Sequence, residues 1–219
     1  PADYYGLNET IVIANPNAPT GLALPRSAIE EILKSNPNHV VIVDEAYVDF
    51  GAASAAALLG RYENLLVVMT YSKSRSMAGA RLGFALGSRE LIADLERLKY
   101  ATNPYNVNRL TLRLGEAAVD SDPYFRANAR RIMATRDKTA RALREMGFRL
   151  PDSQANFLFV THPRIDGARL YQKCRERGIL IRHFSDPAIA QYNRVTIGAE
   201  EEMETFLTMV RDILREEGL

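Results

Sequence analysis

The stretch Leu65-Leu66-Val67-Val68-Met69-Thr70-Tyr71-Ser72-Lys73 sets five apolar residues directly against a hydroxyl-rich turn and an amine. A short apolar run without alternation predicts a strand covered on both faces, as in a parallel sheet. The same construction recurs along the first half. Thr10-Ile11-Val12-Ile13-Ala14 runs into Asn15-Pro16, and Val40-Val41-Ile42-Val43 runs into Asp44-Glu45-Ala46-Tyr47. A fourth run, Leu82-Gly83-Phe84-Ala85-Leu86, stops at Gly87. Helical segments lie between. Pro25 followed by Ser27 to Lys34 reads as a helix with Ile29, Ile32 and Leu33 on one face, and Arg89 to Tyr100 as a helix with Leu91, Ile92, Leu95 and Leu98 inward. This alternation predicts an α/β fold built on a mostly parallel sheet. The connection into the fourth run is short, so that strand is expected to pair antiparallel with the third.

The second half has a different rhythm. Asp120 to Met146 is charged and helical in period, with Tyr124, Ile132, Ala140 and Leu143 as inward candidates and Gly147 as its stop. Strand-like Asn156 to Val160, Ile179 to Arg182 and Arg194 to Ile197 follow. Helices are expected over Asp166 to Arg177 and Glu201 to Glu216. Helices on a short sheet predict a smaller α+β domain, with the boundary near residue 120 and the domains spanning residues 1–120 and 121–219.

Composition narrows the classes. With 219 residues, 47% hydrophobic and 25% charged, the chain is long enough to bury a core. A formal net charge of +1 gives no broad field for nucleic acid or a membrane surface. No apolar run approaches the roughly 20 residues of a membrane span. Cys174 is the single cysteine. It suits a reducing compartment and reads as a buried helix residue rather than a nucleophile. His39, His162 and His183 have no metal-ligand spacing and read as structural or surface residues.

Polar groups collect where the apolar runs stop. Asn15, Asp44 and Lys73 follow the first three runs, and Tyr47 comes three residues after Asp44. In open α/β sheets ligands bind outside the carboxyl ends of strands, so these side chains converge if the strands are parallel neighbours. An amine, a carboxylate, a phenol and an amide in one place suit a charged heteroaromatic cofactor, pyridoxal 5′-phosphate (PLP). That cofactor needs a lysine for its Schiff base and a carboxylate against its pyridinium nitrogen. A poorly hydrated Asp44 needs such a partner charge. Asn15 and Tyr47 can donate to the ring oxygen. Lys73, once released, can move the proton between Cα and C4′. Thr70, Ser72 and Arg81 flank the lysine and can hold a phosphate, Arg in bidentate fashion.

Three blocks carry a resemblance. Asn15-Pro16-Asn17-Ala18-Pro19-Thr20-Gly21 is similar to the Asn-Pro-x-x-Pro-Thr-Gly signature of class I/II, fold-type I PLP-dependent aminotransferases. Asp44-Glu45-Ala46-Tyr47 is similar to their Asp-x-x-Tyr, and Thr70-Tyr71-Ser72-Lys73, with Arg81 eight residues later, to their lysine block. Order and spacing agree across all three. The resemblance implies Lys73, Asp44 and Tyr47 as catalytic residues, with Asn15, Thr70, Ser72 and Arg81 completing the cofactor site.

A narrower likeness points to histidinol-phosphate aminotransferases. It rests on Pro104-Tyr105-Asn106-Val107-Asn108, Gly178-Ile179-Leu180-Ile181-Arg182 and Arg194-Val195-Thr196-Ile197-Gly198. It implies that Arg182 and Arg194 bind the substrate's anionic group and that Asn156 supports the site. The expected reaction passes an amino group between histidinol phosphate and 2-oxoglutarate, in a cytoplasmic homodimer with no metal. The resemblance makes residues 1–120 the C-terminal part of a large PLP-binding domain and residues 121–219 a small C-terminal domain. It also implies a further segment before Pro1, with a phosphate-cradling turn and an aromatic residue stacked on the ring. Another fold-type I enzyme (an aromatic or broad-range aminotransferase, or a threonine-phosphate decarboxylase) and a non-catalytic fragment are the alternatives.

Overall fold

The computed structural model describes every residue from Pro1 to Leu219. The chain separates into two compact units, Pro1–Asn17 with Ala23–Asn128, and Ala18–Leu22 with Ala129–Leu219.

The first unit is built on a four-stranded sheet. Strands β1 (Ile11–Ala14), β2 (Val41–Asp44), β3 (Leu65–Thr70) and β4 (Gly83–Gly87) lie in that order. The first three are parallel, with Ile13, Val43 and Val67 on one rung, and β4 runs antiparallel to β3. Helix α1 (Arg26–Ser35) starts behind Pro25, whose φ of −67° suits a helix entry. Its Ile29, Ile32 and Leu33 recur at helical spacing and pack against Val41, Val43, Leu65 and Val67. Burying each such side chain contributes about 1.5–3 kcal/mol. Asn36 closes α1 from inside the core, its amide donating to the carbonyls of Ile32 at 2.9 Å and Tyr4 at 2.8 Å.

Coverage of both sheet faces does not hold throughout this unit. Val12 on β1 is 64% exposed, and Phe84 and Leu86 on β4 are also exposed. Helix α2 (Arg89–Thr102) forms, capped by Ser88, whose hydroxyl accepts from the Leu91 amide at 3.4 Å. It buries none of its residues, and Leu95 and Leu98, expected to point inward, are exposed. Periodicity specifies that a face is apolar, not what covers it, and no element of these 219 residues covers this one. Helix α3 (Arg109–Asp120), capped by Asn108, was not among the expected elements. Helix α4 (Asp122–Glu145) buries Ala140 and Leu143 but leaves Tyr124 exposed. At 100° per residue, Tyr124 lies about 100° round the helix from Leu143, off the buried stripe.

In the second unit β5 (Phe157–Val160), β6 (Arg182–His183) and β7 (Asn193–Thr196) form an antiparallel sheet ordered β5-β7-β6. The C-terminal part of α4, α5 (Gly167–Glu176) and α6 (Glu200–Glu216) pack with it around Leu143, Leu158, Leu170, Val195, Val210 and Ile213. Strand β6 is shorter than expected. Gly178 turns the chain out of α5 at a φ of +77°, and the Ile179 amide bonds back to the Cys174 carbonyl at 3.0 Å. Residues before Arg182 are thus spent on the helix exit. Cys174 is buried on α5, and burial pushes its thiol up to about 12, which makes it inert as a nucleophile.

The glycine of the first sequence block belongs to this unit. Gly21 has a φ of +75°, and a Cβ there would stand 2.2 Å from the Ser153 hydroxyl oxygen. Its carbonyl accepts from the Gln154 amide at 2.8 Å. Gly21→Ala is expected to cost about 1–3 kcal/mol, from left-handed strain and the clash together, read as a lower urea midpoint. No helix is long and apolar enough to cross a membrane.

Candidate active site

Because β1, β2 and β3 are parallel and in register, Ala14, Asp44 and Val68 share a rung and their chains leave the sheet at one rim. The ladder continues one step beyond, with the Asn15 amide donating to the Asp44 carbonyl and the Glu45 amide to the Val68 carbonyl, both at 2.8 Å. Asp44 is half-buried, and its Oδ1 accepts from the Ala46 amide at 3.0 Å. That bond folds the chain so that Tyr47 begins the short 3-10 turn Val48–Phe50.

Lys73 comes to this rim from β3. Its Nζ lies 5.4 Å from the centre of the Tyr47 ring. The predicted lysine, phenol and carboxylate are therefore gathered at adjoining strand ends. Asn15 is there too, but it is 1% exposed and its amide is engaged with Leu24. Nδ2 donates to the Leu24 carbonyl at 3.3 Å and Oδ1 accepts from the Leu24 amide at 2.7 Å. That pair fixes the orientation of the amide, whose Nδ2 carries a second hydrogen.

The hydroxyls expected to hold a phosphate also meet. Thr70 Oγ1 donates to Ser72 Oγ at 2.9 Å and accepts from the Ser72 amide at 3.1 Å. The β3–β4 pairing sets Thr70 opposite Gly83, two residues after Arg81. Arg81 is exposed and left-handed, with a φ of +55°, and Nη1 donates to the Ala78 carbonyl at 3.0 Å. An ammonium, a guanidinium and two hydroxyls on the turn beside a carboxylate on the neighbouring strand fit an anionic ligand that also carries a cationic atom.

Glu45 is a buried carboxylate that sequence reasoning passed over. Burial pushes its carboxyl up, although Ser54 Oγ at 2.6 Å and the Ala55 amide at 2.5 Å both donate to it. Strand alternation turns it away from Asp44 and into the core. This alternation was the only signal available to find it.

In the second unit Arg182 and Arg194 stand directly opposite on β6 and β7. Their guanidinium groups lie over Phe184 at 5.7 Å and Phe157 at 5.1 Å. Like charges opposite each other repel, so the pairing costs stability unless an anion joins them. Arg194 Nε is buried with no hydrogen-bond partner. A buried cationic donor left unsatisfied is costly. Asn156 is half-buried just before β5, its carbonyl accepting from the Ile197 amide at 2.9 Å.

The sequence matches the family model for aminotransferase class I and II over residues 5–210. The chain belongs to that family. It is 47% identical over 214 residues to the histidinol-phosphate aminotransferase of Brachyspira hyodysenteriae, covering 97% of this chain and 60% of that protein. The chain thus spans about 60% of the length of the curated relatives it matches. Among aminotransferase-fold structures, the histidinol-phosphate aminotransferase of Clostridium acetobutylicum superposes with a TM-score of 0.85 at 24% identity, over 94% of this chain and 64% of that one. The L-threonine-O-3-phosphate decarboxylase of Porphyromonas gingivalis gives 0.82 at 21%, over 94% and 65%. Both likenesses are of fold, and an aminotransferase and a decarboxylase share it.

Proposed function

We propose that the protein is a PLP-dependent aminotransferase that exchanges an amino group between histidinol phosphate and 2-oxoglutarate. The supporting observation is the Lys73 amine beside the Tyr47 ring, at the rim where Asp44 ends its strand and the Thr70 and Ser72 hydroxyls meet. Bound there, PLP supplies an aldehyde for Lys73 and a ring that takes up the electrons left when a substrate Cα loses its proton. Asp44 keeps a proton on the ring nitrogen. Tyr47 and Asn15 would donate to the ring oxygen, and Thr70, Ser72 and Arg81 would hold the phosphate. Lys73 would hold the aldehyde, and its amine would serve as the base that moves a proton at the reacting carbon.

The substrate's anionic group falls to Arg182 and Arg194, with Asn156 in support. On this reading the first unit belongs to a large cofactor domain and the second to a small substrate domain. We place the enzyme in the cytoplasm as a homodimer, on the family resemblance. The unpaired Cys174 is in keeping with a reducing compartment.

The test is covalent. Protein incubated with PLP and reduced with borohydride is expected to gain one cofactor mass, mapped to the peptide that carries Lys73. A protein that melts cooperatively yet gains nothing overturns the cofactor reading. For the substrate, loss of CO2 from threonine phosphate with no amino transfer from histidinol phosphate overturns the assignment. Arg194→Ala is expected to raise KM for the phosphorylated amino donor by about tenfold to a hundredfold and to change kcat little, as befits binding shared by ground and transition states. A fall in kcat at unchanged KM would place Arg194 elsewhere in the reaction.

A further inference from the structure

The turn that carries Lys73 is pinned at both of its corners. Lys73-Ser74-Arg75-Ser76 closes with the Ser76 amide on the Lys73 carbonyl at 3.1 Å, and the Met77 amide seals it on the Tyr71 carbonyl at 3.1 Å. Ser74 and Arg75 are the two central residues. Ser74 Oγ donates to Asp49 Oδ2, two residues beyond Tyr47. Arg75 Nη2 donates to Asp122 Oδ1 at 2.6 Å, at the start of α4, and the guanidinium lies 5.2 Å from the Phe125 ring centre. Arg75 Nη1 is buried with no hydrogen-bond partner, so Asp122 and Phe125 are what hold the guanidinium. Arg126 shares Asp122 but is itself exposed. The Asp122 carboxyl lies below its ordinary range because Arg126 and then Arg75 donate to it.

We propose that Arg75, together with Ser74, is a positioning residue for Lys73. It clamps the turn so that the amine is presented beside Tyr47 and Asp44. A lysine side chain has four free torsions, and fixing its backbone anchor is the one constraint available before a ligand arrives. Arginine suits the task because its planar fork can pair with Asp122 and lie on Phe125 at once. The proposal rests on Lys73 being the cofactor lysine.

The experiment measures how fast PLP becomes attached to Lys73 in the PLP-free protein, by timed borohydride quench and intact mass, across a range of pH. Arg75→Met is expected to slow attachment about tenfold and to move the midpoint of its pH profile. Arg126→Met removes a cation from the same carboxylate and leaves the Arg75–Asp122 bond and both corners of the turn in place, and is expected to react at the unaltered rate. An unchanged rate in Arg75→Met, or equal slowing in Arg126→Met, overturns the proposal. Should Arg75→Met lose its cooperative melt, Ser74→Ala releases the other corner and is expected to slow attachment about threefold; an unchanged rate there also overturns it. If the unaltered protein does not attach PLP at Lys73, the cofactor reading fails and this proposal goes with it. If it does attach and the variants match it, only the positioning role fails.

Discussion

Lys73→Ala is expected to abolish the borohydride-fixed mass gain altogether and to lower turnover by at least about 10²–10⁴-fold, the contribution of a positioned general base alone. Competing amines are unsuited to the role. Lys34 pairs with Glu30 and Glu31, Lys138 with Glu200 and Glu204, and Lys173 with Glu216 and Glu217. These pairs push the Lys138 and Lys173 amines up, away from the neutral form that attacks an aldehyde. Lys99 stands on α2 rather than at the strand ends where Lys73 meets Tyr47. Lys73 enters no ion pair and has an aromatic ring as its neighbour. Retention of a stoichiometric, single-site mass gain in the alanine variant would move the chemistry to another lysine. Far-UV dichroism should be unchanged, because the exposed Lys73 side chain contributes little to packing.

Asp44→Asn should be as informative as Asp44→Ala and cleaner to read. The asparagine keeps an acceptor for the Ala46 amide, so the turn that places Tyr47 survives. It lacks the charge needed to hold a proton on a ring nitrogen. Both variants are expected to lose about 3–4 kcal/mol of transition-state stabilisation, a few hundredfold or more in kcat/KM, with the asparagine variant melting near the unaltered protein. Near-normal turnover in Asp44→Asn would leave the carboxylate a purely structural role in the turn.

Strand content was readable because each parallel strand is an uninterrupted apolar run that stops at a polar residue. Val41–Asp44 and Leu65–Thr70 fell within a residue or two of those stops. The antiparallel return of Gly83–Gly87 followed from a connection too short for a crossover helix. Convergence of Asp44, Tyr47 and Lys73 followed from strand ends lying side by side. What sequence could not reach depended on distant partners. Arg75 has no local signal that it meets Asp122, 47 residues later. The amide of Asn15 points at Leu24 because the intervening chain loops back, and no periodicity reports that. Tyr124, Leu95 and Leu98 show the complementary error, an apolar pattern taken as proof of burial.

By itself, then, the amino-acid order determined the class of fold and the order of its parts, since backbone propensity, apolar runs and motif spacing are local properties. Tertiary structure alone decided which carboxylate each cation meets, which apolar faces lie open, and that Arg182 and Arg194 confront each other across two strands. Those are properties of register and closure. They depend on residues far apart in the chain reaching the same few ångströms, and a one-residue slip in pairing would reverse every side chain on the strand.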